Sequence, residues 1–294
     1  MKQGLPAEIS LPFTQFGSEL DDVPSFPCSL LKMTGNVLIL LLAAFSILYV
    51  GACAYAYLRS DTLIFPAPEP SYRDGPEILR LQADDGENIA AYFLEAEEPG
   101  GVLLFNHGNA EDLGYLRPLL ETFRRRGISV LAYDYPGYGT STGRPGETGV
   151  YAAADAAYRY LVEEQGVPPG SIVLYGRSLG SGPASWLAER YPVGGLILSG
   201  AFTSTFRVMT GVKVLPFDKF DNLARLPKVA CPVLIIHGKD DRIIPLSHAE
   251  KNARALQNAP QTLWVEGAGH NNLIEVAGER YWKTVIDFIR QASN

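Results

Sequence analysis

Three residues in this chain of 294 have the types and the order needed to activate a hydroxyl group: Ser178, then Asp241, then His270. A serine hydroxyl is a weak nucleophile until a base takes its proton. The base in turn needs a third group to fix its tautomer and stabilise its cation. Ser178 is the centre of Gly176-Arg177-Ser178-Leu179-Gly180, which follows an apolar run and opens a helical pattern. On such a sharp turn the hydroxyl is presented at the edge of a sheet, and the flanking glycines let strand and helix approach. The helix N-terminus below it favours developing negative charge. Gly139-Thr140-Ser141-Thr142-Gly143 fits the same expression. Arg144-Pro145-Gly146 follows it directly, so no helix starts at Ser141, which reads as a loop residue.

Four histidines are available as the base: His107, His237, His248 and His270. In an order of serine, acid, histidine, the base comes last. His237 ends a strand pattern and His248 lies inside a helical one, where it reads as a surface or local hydrogen-bonding residue. His270 lies in Gly267-Ala268-Gly269-His270-Asn271, a loop after the last strand, and is expected to be the base. The acid belongs in the loop after the preceding strand, where HGKDDRIIP offers Asp240 and Asp241. Asp241 is preferred by spacing, and Asp240 reads as a solvated neighbour or turn former. Acyl transfer also needs two backbone donors for an oxyanion. The N–H groups of Leu179 and Asn109 are expected to supply them, the latter from the loop after GGVLLFNHG. His107, Asp134 and Tyr138 read as structural residues that shape the nearby loops.

These loops need rigid elements behind them. GGVLLFNHG, ISVLAYDY, SIVLYG, GGLILSG, PVLIIHG and QTLWVEG are near-continuous apolar runs, as expected of strands buried on both faces. Helical patterns separate them, including Glu147–Gln165, Ser178–Tyr191, Pro245–Asn258 and Asn272–Gln291. This alternation predicts an α/β fold: a mostly parallel sheet with helices on both faces. A hairpin turning at Asp85-Gly86 is predicted to add an antiparallel edge.

The N-terminal part is different. Residues 1–35 read as a flexible tail, and Met33 offers an alternative start. Val37–Leu58 is an uncharged run of 22 residues. At about 1.5 Å per residue it spans about 33 Å, enough to cross a bilayer core of about 30 Å. Residues 36–58 are therefore expected to form one uncleaved transmembrane helix. A buried core helix would carry a polar stripe, a signal peptide would have a shorter apolar region, and a lipoprotein signal ending before Cys53 would begin with a basic segment. Positive residues balance across the run and do not set its orientation. Residues 59–77 hold four prolines and are expected to form an extended linker. The catalytic domain is expected over 78–294.

A net charge of −7 and the lack of a basic stripe argue against nucleic acid as a partner. Cys28, Cys53 and Cys231 are too few and too scattered for a disulfide framework or a zinc site. Neither a metal nor an organic cofactor is implied. Between GLILSG and PVLIIHG, residues 201–231 can form only a small cap. Val208, Met209, Val212, Val214, Leu215 and Phe217 there suit either an apolar lip for an acyl chain or simple packing onto the sheet.

The set NHGNAEDLG, DYPGYGTSTGRPGE, GRSLGSGPA, HGKDDRIIP and GAGHNNL resembles the α/β-hydrolase superfamily. Residues 36–291 look most like the membrane-anchored α/β-hydrolase-domain proteins with a single N-terminal transmembrane helix. One departure is Gly180-Ser181-Gly182, where such proteins commonly have Gly-Gly. The resemblance implies Ser178 as nucleophile, Asp241 as acid, His270 as base, and the backbone of Asn109 and Leu179 as oxyanion hole. It implies a membrane-held serine hydrolase of small-molecule or lipid acyl substrates, carboxylic esters or thioesters. A peptidase on the same residues, with Glu111 or Asp112 pairing a substrate terminus, and a catalytically idle membrane scaffold are the alternatives.

Overall fold

The apolar runs pair into one eight-stranded sheet in the computed structural model, which describes residues 28–98 and 100–293. In chain order the strands are β1 (Leu79–Gln82), β2 (Asn88–Leu94), β3 (Val102–Asn106), β4 (Ser129–Tyr133), β5 (Ile172–Arg177), β6 (Gly195–Ser199), β7 (Val233–Gly238) and β8 (Gln261–Val265). Their spatial order is β1-β2-β4-β3-β5-β6-β7-β8. The hairpin β1–β2 and its junction with β4 are antiparallel; all other pairs are parallel. The hairpin turns at Gly86, whose φ of +89° suits a residue without a Cβ.

The helices are α1 (Cys28–Ile64), α2 (Leu113–Arg125), α3 (Glu147–Arg159), α4 (Ser181–Arg190), α5 (Thr205–Thr210), α6 (Asn222–Arg225), α7 (Leu246–Ala255), α8 (Leu273–Ala277) and α9 (Glu279–Ala292). Side chains alternate across each strand, so the sheet feeds two cores. Leu104, Leu131, Leu174 and Leu198 pack with residues of α3, α4 and α7. Phe105, Val130, Tyr175 and Ile197 pack with residues of α2 and α9 on the other face. Full burial of each such side chain contributes about 1.5–3 kcal/mol. The whole α/β arrangement is thus paid in apolar area on both faces of one sheet.

Two helical patterns change on folding. The pattern over Glu147–Gln165 ends its regular part at Arg159, and Tyr160–Glu164 form a π turn. The pattern over Asn272–Gln291 breaks at Gly278, φ +53°, into α8 and α9.

The chain divides into two units between Ala52 and Cys53. Helix α1 is longer than the run of 36–58 that marks it. It begins at Cys28, where the first residues past Pro27 include Leu30, Leu31 and Lys32 with no further proline. The rest of the expected tail, residues 1–27, lies outside the described residues. Helix α1 continues through residues 59–64, which the proline-rich composition of 59–77 predicts as extended linker. Arg59, Ser60, Asp61 and Thr62 are no barrier to helix, and the Ser60 hydroxyl bonds back to the Tyr57 carbonyl. The last helical hydrogen bond, Phe65 N–H to Asp61 O at 2.9 Å, falls just before Pro66. Among the described residues, Asn36–Ile64 is the one helix long and apolar enough to cross a membrane, and its most apolar stretch is unburied.

Candidate active site

The turn after β5 holds Ser178 in a left-handed conformation, φ +50°. A non-glycine residue there is strained and needs surroundings that enforce it. The glycines supply the room. A Cβ on Gly180 would lie 2.1 Å from the Asn106 carbonyl oxygen, and one on Gly176 2.7 Å from the Gly180 carbonyl oxygen. Residues 178–180 form a 3-10 turn that leads into α4. The Ser181 hydroxyl, on the first residue of that helix, donates to the Ser178 carbonyl at 2.7 Å.

The loop after β8 brings His270 to this turn. His270 Nε2 lies 2.9 Å from Ser178 Oγ, and Nδ1 lies 2.7 Å from Asp241 Oδ2. Asp241 follows β7 and is 6% exposed. Its other oxygen accepts the N–H groups of Ile243 and Ile244 at 2.9 and 2.8 Å. Burial is the largest influence on this carboxyl and acts to raise it. The His270 and Ile244 hydrogen bonds and the adjacent imidazoles together outweigh burial and hold it below the ordinary carboxylate value. Asp240 is exposed and reaches neither histidine nor serine by any described contact. The three side chains form one hydrogen-bonded chain in which an imidazole can take a hydroxyl proton while its cation is stabilised.

Asn109 lies in the loop after β3 and Leu179 directly after Ser178; both line the cavity at Ser178. The Asn109 side chain fastens that loop. Its Nδ2 donates to the Ile64 carbonyl at the end of α1, and its Oδ1 accepts from the Tyr138 hydroxyl at 2.8 Å. His107 shares no described hydrogen bond with Ser178 or His270. It is fully buried, stacked on Tyr135, and its Nδ1 bonds the Gly108 carbonyl. Burial drives its pKa down to about 4. Asp134, also fully buried, accepts from the Tyr72 hydroxyl and the Leu113 N–H, and burial drives it up to about 7. Ser141 bonds the Ala90 N–H and the Asp134 carbonyl, far from His270 in the hydrogen-bond network. His248 is buried rather than on the surface, where it accepts from the Thr203 N–H. His237 donates through Nε2 to the Ile244 carbonyl and so braces the Asp241 loop.

A cavity of about 430 Å³ opens at Ser178. Leu63, Ile64, Phe202, Phe206, Val208 and Ile243 make it largely apolar. Phe206 and Val208 come from α5 in the 201–231 segment, while Val212 and Val214 remain exposed. Phe217 packs on Phe206 and on Tyr57 of α1. Three cavity residues, Leu63, Ile64 and Arg177, are not marked by the sequence pattern. Leu63 and Ile64 were hidden in a segment read as linker. Arg177 occupies a variable position of the glycine motif, which assigns it no role. It pairs with Glu111 at 2.7 Å at the cavity's polar end. Asp112 caps α2 by accepting from the Tyr115 N–H and also holds Ser71.

Comparison with known proteins agrees with this architecture. Residues 101–212 match a family model described as alpha/beta hydrolase fold, and residues 210–293 match one described as TAP-like protein. The chain is 37% identical over 223 residues to alpha/beta hydrolase domain-containing protein 17B of Xenopus tropicalis, covering 74% of this chain and 77% of that one. Identity to the human 17B protein is 36% over the same length. Among solved structures, an esterase of Pyrococcus furiosus superposes with a TM-score of 0.65 at 16% identity, covering 77% of this chain and 99% of that one. An alpha-beta hydrolase of Vibrio vulnificus gives 0.60 at 23% identity, covering 72% and 80%. The two structures share the fold, the 17B proteins share more than a third of the aligned sequence, and this chain therefore belongs to the α/β-hydrolase family, as a hydrolase related to the alpha/beta hydrolase domain-containing 17 proteins.

Proposed function

We propose that this protein is a serine hydrolase that cleaves carboxylic ester or thioester bonds of acyl substrates, held at a membrane by α1. The observation that carries the reading is the Ser178–His270–Asp241 chain of hydrogen bonds at the mouth of an apolar cavity. Ser178 Oγ attacks the acyl carbonyl carbon as His270 Nε2 takes its proton. Asp241 keeps the Nδ1–H directed and stabilises the imidazolium. The oxyanion lies against the N–H groups of Asn109 and Leu179. His270 then gives its proton to the departing alcohol or thiol, leaving an acyl group on Ser178. Water, activated by the same imidazole, attacks that ester and frees the acid. The acyl chain lies along Leu63, Ile64, Phe206 and Val208, with the 201–231 segment as a small lid.

The geometry offers less to a peptidase. Recognition of a peptide terminus needs an available charge, yet Glu111 is taken by Arg177 and the Gly108 N–H, and Asp112 by Ser71 and Tyr115. The test is reaction of the detergent-solubilised chain with a fluorophosphonate, followed by peptide mass spectrometry. We expect the adduct on Ser178, absent in Ser178→Ala and at least 100-fold slower in His270→Ala. The same wild-type sample should hydrolyse p-nitrophenyl acyl esters. A folded protein that neither labels nor hydrolyses would be an idle scaffold.

A further inference from the structure

Glu111 stands outside the Ser178–His270–Asp241 chain, yet one carboxylate of it touches both loops that flank the serine. Oε2 accepts the Gly108 N–H at 2.7 Å. Oε1 lies 2.7 Å from Arg177 Nη1. Gly108 directly precedes Asn109, and Arg177 directly precedes Ser178 and Leu179. The bridge therefore ties together the two segments whose backbone N–H groups are assigned to the oxyanion. It is nearly dry: the Glu111 side chain is 10% exposed and that of Arg177 22%.

The loop it holds has reason to relax. Ala110, between Asn109 and Glu111, is in the left-handed region at φ +59°. A residue with a Cβ stays there only under constraint. The hydrogen bonds of the Asn109 side chain fix the loop to Ile64 and Tyr138. The Glu111 carboxylate is the contact that carries it across to the nucleophile turn. Oxyanion donors must lie within about 2.7–3.1 Å of the charge that develops, so a small shift in loop separation is felt in the transition state. Burial pushes the Glu111 carboxyl up from its ordinary value, opposed by Arg177, by the Gly108 N–H and by His270.

We propose that Glu111 is a positioning residue: through Gly108 and Arg177 it sets the spacing of the Asn109 and Leu179 N–H groups, and so acts on the transition state rather than on acyl binding. The inference rests on the serine-hydrolase reading above. The alternative for such a pair is direct contact with the polar part of the substrate.

The experiment compares wild type, Glu111→Gln, Glu111→Ala, Arg177→Met and the double variant Glu111→Ala/Arg177→Met in detergent. Each is measured with one p-nitrophenyl ester for kcat and KM, and with a trifluoromethyl ketone carrying the same acyl chain, which forms an oxyanion on serine. We expect kcat to fall about 10- to 100-fold in Glu111→Ala with KM within about twofold, and ketone affinity to fall in parallel. Glu111→Gln, which keeps one carbonyl acceptor, should recover part of the loss. Arg177→Met should cost a similar factor, and the double variant no more than the worse single one, because both ends belong to one bridge. A loss expressed mainly in KM would place the pair on the substrate and overturn the proposal, as would wild-type kcat in Glu111→Ala or losses that multiply. Should Glu111→Ala fail to fold, Glu111→Gln and Arg177→Met carry the same comparison. Wild-type protein without ester turnover would overturn the serine-hydrolase reading itself. Wild-type turnover with an indifferent Glu111 would overturn this inference alone.

Discussion

His107 and Asp134 sit side by side behind the Asn109 loop, their nearest charged-group atoms 3.7 Å apart. Burial moves them in opposite directions, His107 down to about 4 and Asp134 up to about 7. For His107 the ordinary value is 6.5. Between that and about 4 the unfolded chain binds a proton that the folded chain refuses, so acidification lowers stability. For Asp134 the ordinary value is 3.8. Between about 7 and that value the folded chain keeps a proton that the unfolded chain releases, so acidification raises stability. In the wild type the two effects oppose each other over the same window, each on the order of a few kcal/mol. We expect Asp134→Asn to unmask the histidine. Relative to wild type, its urea midpoint should fall as pH is lowered from about 6.5 to 4, and that of His107→Gln should rise. A difference independent of pH would show that neither proton is linked to folding. Sequence pattern marked both residues as structural, because they lie in loops next to glycines and tyrosines. It gave no hint that they meet, since β3 and β4 become neighbours only in the sheet.

The element that places Ser178, the proposed nucleophile, is the β5–α4 turn, and its demands are steric. Gly180 lies against the Asn106 and His107 carbonyl oxygens, which are backbone and cannot swing away. We expect Gly180→Ala to cost about 2–3 kcal/mol and at least a tenfold loss of ester turnover, as the turn retreats from β3. Gly170→Ala, whose Cβ would meet nothing within 4 Å, should stay within about 0.5 kcal/mol of wild type. Thermal unfolding and kcat/KM on both variants check this; equal behaviour of the two would remove the steric account. The turn was legible because strand, Gly-x-Ser-x-Gly and helix follow one another in sequence. The strands were legible because sheets buried on both faces need near-continuous apolar runs, as in residues 233–236 of β7. The end of α1 was not. Arg59-Ser60-Asp61-Thr62 has the polarity of a linker, and its helical state rests on the absence of proline before Pro66 and on Ile64 and Phe65 entering the core. Arg177–Glu111 was equally hidden, because 66 residues separate partners that parallel β3 and β5 bring together.

At the scale of the whole molecule, the surface of Asn36–Ile64 is at odds with an aqueous setting. Phe45 is 67% exposed and Leu48 73%, in a helix with no polar face. An isolated helix of this kind buries its apolar side chains either in lipid or in an aggregate, and its uncharged stretch matches the bilayer core. We expect the full chain, expressed in cells, to remain in the membrane pellet after an alkaline carbonate wash and to be released by detergent. An arginine at the centre of a spanning helix costs about 3 kcal/mol, so Phe45→Arg/Leu48→Arg removes about 6 kcal/mol of insertion free energy. The double variant should leave the carbonate-resistant pellet. Intact mass of the pelleted wild type should include residues 36–58, since a processed leader would be missing them. Release of the wild type by carbonate, or equal retention of the double arginine variant, would show that the helix is covered by protein instead of lipid.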